Sequence, residues 1–176
     1  CGHLSGKSLV PDAEMVGKIK AATDARRSDQ TLIIGRTDAI AVEGFERALE
    51  RAERYVEAGA DVLFIEAPQT NDQTKALTAQ FKGRVPLLAN MVEGGKTPLK
   101  SAAELQALGY SLVIFPGGLI RAYSFMAAEY LKSLRENGTT APYRNRMLDF
   151  DQLQEVLGTA SVLEAGGRYD AENFEA

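Results

Sequence analysis

The chain has 176 residues, 45% of them hydrophobic and 25% charged, with a formal net charge of −4 at pH 7. This is the balance of a folded, water-facing protein of about one domain, and it argues against general disorder. Acidic and basic residues are interleaved without a basic patch, so no nucleic-acid partner is expected. No apolar run approaches the ~18 residues of a membrane span, and the single cysteine cannot form an internal disulfide.

Taken in chain order, Asp12 and Glu14 head a helix that carries Met15, Val16, Ile19 and Ala22. Arg26 and Arg27 stand at its end, the charge order the helix dipole favours. Leu32-Ile33-Ile34 is the first of four short apolar runs. The others are Val62-Leu63-Phe64-Ile65, Pro86-Leu87-Leu88-Ala89 and Leu112-Val113-Ile114-Phe115, and successive runs begin 30, 24 and 26 residues apart. Continuous apolar runs predict strands buried on both faces.

A helical pattern separates each run from the next. From Glu43 to Ala58, the residues Phe45, Ala48, Leu49, Ala52, Tyr55 and Val56 form one apolar stripe, with Gly59 as its stop. Ser101 and Glu104 have capping-box spacing ahead of Leu105 and Leu108, and Gly109 closes that helix. A further helix runs from Leu119 to Leu134 and stops near Gly138; a last short one spans Asp149 to Leu157. This alternation predicts right-handed βαβ units and a parallel sheet. Four such units make half of a (β/α)8 TIM barrel, which needs about 250 residues. A small open doubly wound sheet is the other architecture the pattern admits.

Polar residues cluster just after the runs: Arg36-Thr37-Asp38, Glu66, Asn90 with Glu93 close behind, and Pro116-Gly117-Gly118. In a barrel the C-terminal strand ends and their loops form the active-site face. One cation, one carboxylate and one amide at equivalent positions suit a small anionic substrate. Asp38 has a competing structural reading as the cap of the next helix. Gly6-Lys7-Ser8 and Gly95-Lys96-Thr97 end like phosphate loops, but the first glycine of that motif would fall at Cys1 and at Asn90, so nucleotide binding is not expected. Gly117-Gly118 admits either an anion at a helix N-terminus or a tight turn, and the turn is slightly preferred. The lone His3 beside Cys1 brings neither a zinc ligand set nor support for a serine-type triad.

Several blocks together resemble the isocitrate lyase/phosphoenolpyruvate mutase superfamily. They are Cys1-Gly2-His3 with Gly6-Lys7, Glu14-Met15-Val16, Lys18-Ile19-Lys20-Ala21-Ala22, Ile33 through Ala39, Ala58-Gly59-Ala60-Asp61, Leu63 through Ala67, Leu88 through Pro98, Leu108-Gly109-Tyr110 and Phe115-Pro116. The resemblance runs to about Tyr143. It is greatest to the branch holding 2-methylisocitrate lyase, 2,3-dimethylmalate lyase and the petal-death-type lyases, whose members are often labelled carboxyvinyl-carboxyphosphonate phosphorylmutase.

The resemblance implies an α/β fold, a (β/α)8 barrel of which this chain holds strands five to eight. Residues 1–143 would form that barrel half and residues 144–176 a helical tail exchanged between the subunits of a homotetramer. It implies Mg2+ (or Mn2+), held by aspartates that precede Cys1 in the family. The start at Cys1, without an initiator Met, fits that expectation of a longer natural protein, and a cytoplasmic location is expected. The implied activity is Mg2+-dependent carbon–carbon cleavage of a small 2-hydroxy di- or tricarboxylate with release of pyruvate or a related 2-oxo acid. A phosphonomutase, an oxaloacetate hydrolase or decarboxylase, or a non-catalytic barrel fragment are the alternatives.

Position by position, the resemblance makes Cys1 the general acid and Gly2 its neighbour at the substrate, with His3 assisting. Arg36 would grip a carboxylate, Glu66 and Asn90 would contact the substrate, and Arg121 would stand at the start of the last barrel helix. Two departures bear on the substrate. Phe150 stands where methylisocitrate lyase-like sequences carry an Arg, which weakens the case for a tricarboxylate. The decarboxylase branch lacks the Cys motif and has a His near the position of Pro116, which argues against that branch.

Overall fold

The computed structural model describes residues 6–174. The described residues divide into two compact units, 6–119 and 120–174.

In the first unit, α1 (Asp12–Ala25) leads to β1 (Ile34–Thr37) and a short 3-10 helix, Ala39–Ala41. Then α2 (Phe45–Glu57), β2 (Val62–Ile65), α3 (Asn71–Phe81), β3 (Leu88–Asn90), α4 (Ala102–Leu108) and β4 (Leu112–Ile114) alternate, and α5 (Gly118–Asn137) begins. The strands are parallel. β1 pairs with β2, with Ile34 opposite Val62 and Arg36 opposite Phe64, and β3 pairs with β4, with Leu88 opposite Leu112 and Asn90 opposite Ile114. A single bridge between Leu63 and Leu87 links the two ladders, so the strands lie side by side in chain order.

Period-two alternation sorts the strand residues onto two faces. Leu63, Ile65, Leu87 and Ala89 pack with Ile19, Leu49, Tyr55, Leu77, Phe81 and Leu105 from the helices to form the main core. Removing a Leu or Phe of this kind from water is worth about 1.5–3 kcal/mol. On the opposite face, Val62, Phe64 and Leu88 form a separate small cluster. Gly35 suits the helix-packed face of β1 because a Cβ there would sit 3.1 Å from the Ala60 Cβ.

The expectation of strands buried on both faces holds for β2, every residue of which is buried, and fails for β1 and β4. Ile34 is 48% exposed, Leu112 44% and Ile114 36%. These residues occupy the face away from the helices, and only at β2 and β3 do neighbours on both sides cover it. β1 also begins two residues later than the apolar run, since Leu32 is exposed and Gly35, Arg36 and Thr37 complete the strand.

Local chemistry sets the helix ends. Ser101 accepts from Glu104 N while the Glu104 carboxylate accepts from Ser101 N, the capping box expected at α4, and Gly109 ends the helix at φ 109°. Gly44, not Glu43, opens α2, at φ 94°. Glu43 instead accepts both Nε and Nη2 of Arg51, at 2.7 and 2.8 Å. Arg51 is 4% exposed. It also pairs with Asp12 at 2.9 Å and donates to the Val10 carbonyl at 3.0 Å, which ties α1 and the segment before it to α2.

In the second unit, α5 is followed by a 3-10 helix, Ala141–Arg146, then α6 (Phe150–Leu157) and α7 (Thr159–Gly167). Tyr143 is buried, packs edge-on against Tyr130 at 5.5 Å and donates to the Met126 carbonyl. Arg146 lies over the Tyr143 ring and pairs with Glu129 at 2.7 Å. Asp149 and Gln152 form a capping box at α6. The short helix α7 lies beyond the elements read from the sequence. α6 and α7 bury none of their residues, and Phe150, Val156, Leu157, Val162 and Leu163 remain exposed. Among the described residues no helix is long and apolar enough to cross a membrane.

Two outcomes follow from this packing. Arg51→Met keeps most of the buried stem but removes both donors of Glu43, while Asp12 keeps Arg54 at 2.9 Å and Arg47 at 3.4 Å. The variant should unfold at a lower urea concentration with an unchanged slope, and an unchanged midpoint would show that the Arg51 pairs add nothing to stability. Asp61 accepts from Ile33 N and from Arg26 Nη1, both at 2.8 Å. The backbone donor first, and then Arg26, hold its carboxyl below the ordinary range against the opposing effect of burial. Its stabilising effect is therefore present above the unfolded value of about 3.9 and is lost as pH falls through the lower folded value. Asp61→Asn should flatten the acid side of a Tm-against-pH profile, and an unchanged profile would refute this role.

Candidate active site

The C-terminal ends of β1, β2 and β3 lie at one level, and the sheet face away from the helices carries Arg36, Glu66 and Asn90 there. Arg36 is third in β1, Asn90 ends β3, and Glu66 immediately follows β2, its N–H donating to the Thr37 carbonyl at 2.9 Å. Residue 66 shares the parity of Val62 and Phe64, which fixes its side. The next residue, Ala67, is buried and takes φ 59°, a left-handed conformation uncommon for a residue with a Cβ. The chain therefore turns sharply just past the carboxylate.

The three side chains bond directly. Arg36 Nη2 lies 2.8 Å from Glu66 Oε2. Asn90 Nδ2 approaches both Glu66 oxygens, at 3.2 and 3.3 Å. Glu66 is 1% exposed, so its charge depends on these donors. The Asn90 Oδ1 atom is buried and accepts no hydrogen bond from the described residues. A hydroxyl or another donor is what would satisfy it.

Arg36 is held on further sides. Its Cζ lies 4.6 Å from the centre of the Phe64 ring, a cation–π arrangement. Asp38 accepts from Nε at 2.9 Å and from Nη2 at 3.3 Å, and its other partner is Lys7 Nζ at 3.0 Å. The hydrogen bond to Asp38 is the main cause of a guanidinium pKa raised above its usual value, partly offset by burial. For Asp38 itself burial pushes the carboxyl up, but hydrogen bonds from Arg36 and Lys7 outweigh it and hold it low. The helix-cap reading of Asp38 is not met: its side chain makes no cap bond, and Thr37 Oγ1 takes the Ala39 N–H instead. Lys7, Arg36, Thr37 and Asp38 line one part of a cleft of about 470 Å3 whose remaining wall includes Leu9, Val10, Met15, Arg51 and Tyr55; Glu66 and Asn90 lie outside that lining.

Of the other expected residues, Cys1, Gly2 and His3 lie outside the described residues. Arg121 stands in the first turn of α5, exposed, in the second unit. At Gly117-Gly118 the Gly118 N–H donates to the Phe115 carbonyl, the turn the sequence favoured. Among the described residues no group of three or more His, Cys, Asp or Glu could hold a metal ion. Lys7, absent from the expected site, was hidden in sequence by its resemblance to a phosphate-loop lysine. Asp38 was hidden by the ambiguity between capping and ion pairing.

A family model described as phosphoenolpyruvate phosphomutase matches residues 2–135. The chain is similar to a 2,3-dimethylmalate lyase of Eubacterium barkeri, 40% identical over 96% of this chain and 58% of the relative. It is also similar to a 2-methylisocitrate lyase of Aeropyrum pernix, 42% identical over 90% of this chain and 50% of the relative. Among solved structures, an oxaloacetate acetylhydrolase in complex with the inhibitor 3,3-difluorooxalacetate superposes with a TM-score of 0.82 at 34% identity, covering 97% of this chain and 58% of that one. The chain thus spans about half the length of the curated relatives it matches. With four parallel strands alternating with helices, a polar cluster at their C-terminal ends and three quarters of the sequence inside one family model, the chain belongs to the phosphoenolpyruvate phosphomutase family of the PEP mutase/isocitrate lyase superfamily.

Proposed function

We propose that the chain is the C-terminal half of a (β/α)8 barrel and carries part of the active site of a carbon–carbon lyase acting on a small 2-hydroxy di- or tricarboxylate. The carrying observation is the Arg36–Glu66–Asn90 cluster. A 2-hydroxy acid offers a carboxylate for the guanidinium and a hydroxyl donor for the buried Asn90 Oδ1. The apolar residues Ile34, Leu112 and Ile114, exposed on the same sheet face, support further strands covering that face in the whole protein. The names of the relatives agree with lyase chemistry on methyl-branched di- and tricarboxylates.

In this reading the substrate hydroxyl gives up its proton to a base and becomes a carbonyl as the adjacent C–C bond breaks. The bonding pair leaves with the departing fragment as an enolate. Arg36 fixes the carboxylate beside the developing charge, and Glu66, itself anchored by Asn90, keeps the guanidinium oriented. The Cys1 thiol is the proposed acid that returns a proton to the enolate, with Gly2 and His3 next to it in sequence. Arg121 is proposed as a second contact for the substrate.

The family resemblance implies Mg2+. The described residues hold no cluster that fits it, so the proposal assigns its ligands to the part of the barrel outside this chain and routes no step through it. Residues 1–143 are proposed as the barrel half and 144–176 as a tail. The exposed apolar side chains of α6 and α7 support packing of that tail against another surface; exchange within a homotetramer and a cytoplasmic location are proposed on the family resemblance alone.

The test is an assay for 2-oxo acid release from 2-methylisocitrate, 2,3-dimethylmalate, citramalate and oxaloacetate by the whole protein in excess Mg2+. Arg36→Met should lower kcat/KM on the order of 10²–10³-fold. Cys1→Ser should abolish most turnover while leaving oxalate binding intact. Undiminished turnover in Cys1→Ser favours a phosphonomutase, and inert wild-type protein in every arm favours a non-catalytic role.

A further inference from the structure

The arginine of the cluster already faces two carboxylates. Arg36 is within ion-pair distance of Asp38 at 2.9 Å and of Glu66 at 2.8 Å. Asp38 occupies the Nε edge of the guanidinium, and its negative charge would repel an arriving carboxylate that the guanidinium attracts. Lys7 changes the balance. Its ammonium sits 3.0 Å from Asp38 Oδ1, on the oxygen that receives the longer of the two arginine contacts. The ammonium offsets the charge of the Asp38 carboxylate it pairs with.

The placement is suited to this role. The side chains of Lys7 and Asp38 are only 21% and 20% exposed, so solvent screens their mutual field less than at an open surface. Both line the same cleft as Arg36. The Asp38 side chain makes no cap bond, because the Thr37 hydroxyl takes the Ala39 N–H.

We propose that Lys7 is the charge-balancing residue of the site, neutralising Asp38 so that Arg36 can both be held in place and receive a carboxylate. The proposal rests on the reading of Arg36 as a carboxylate receptor. Lys7 is a positioning and electrostatic residue here, acting through Asp38.

Titration of the full chain with oxalate, followed through the Arg36 Nε–H resonance, tests it. Lys7→Met should weaken oxalate binding by about tenfold, and Lys7→Arg should keep it within about twofold of wild type. The double variant Lys7→Met/Asp38→Asn, which restores the charge balance without restoring the ammonium, should recover binding to within about threefold of wild type. Unchanged binding in Lys7→Met overturns the proposal. So does a double variant as weak as Lys7→Met, since the ammonium would then be contacting the anion or serving only as a clamp. Should Lys7→Met fail to fold, Asp38→Asn alone decides: it should tighten oxalate binding several-fold, and weaker binding overturns the proposal. Wild-type protein that binds no oxalate overturns the carboxylate-receptor reading itself, and this inference with it.

Discussion

A carboxylate that is almost wholly shielded from water must be compensated, and Glu66 is that carboxylate. Its two oxygens draw the Arg36 guanidinium from one neighbouring strand and the Asn90 amide from the other. The same demand links three strands at the level where their loops begin. Parallel pairing brings the strand ends level, and alternation aims the three side chains to one side. Without the buried charge there would be no reason for a cation and an amide to converge there. Without the pairing they would have no common level at which to do so.

The arginine is held from several sides. Phe64 supports its flat face, Asp38 its Nε edge and Glu66 one terminal nitrogen, while the cleft adjoins it. Rigid presentation of a planar fork lowers the entropy lost when a carboxylate docks. The cost of this rigidity is negative charge next to a site meant for anions, and the segment at Lys7 lies where that charge can be offset.

Much of this was legible in the sequence because strong local signals agreed. The apolar runs located four strands, the Ser101–Glu104 spacing located a cap, and the strand-end positions of Arg36, Glu66 and Asn90 singled them out. What the residues could not convey was which strands have neighbours on both sides. Ile34 and Ile114 read as core residues and are substantially exposed, because burial is decided by what packs across the sheet. The role of Asp38 was equally hidden: an aspartate two residues past an arginine caps, pairs or does both, and here Thr37 takes the Ala39 N–H while Asp38 pairs with Arg36 and with Lys7, 31 residues away in sequence. The Arg51 network reaches Glu43, 8 residues back, and Val10, 41 residues back, and left no periodic trace.

The strict alternation along these short strands limits how the gene can change in length. Deleting one codon upstream within β1 would bring Thr37 into the place of Arg36 and rotate the glycine that accommodates Ala60 away from the helices. Losing two would keep the parity but shorten a four-residue strand by half. Insertions and deletions should therefore accumulate in the turns after Asn90 or after Gly138, and the spacing from each strand to its polar end residue should behave as a fixed ruler.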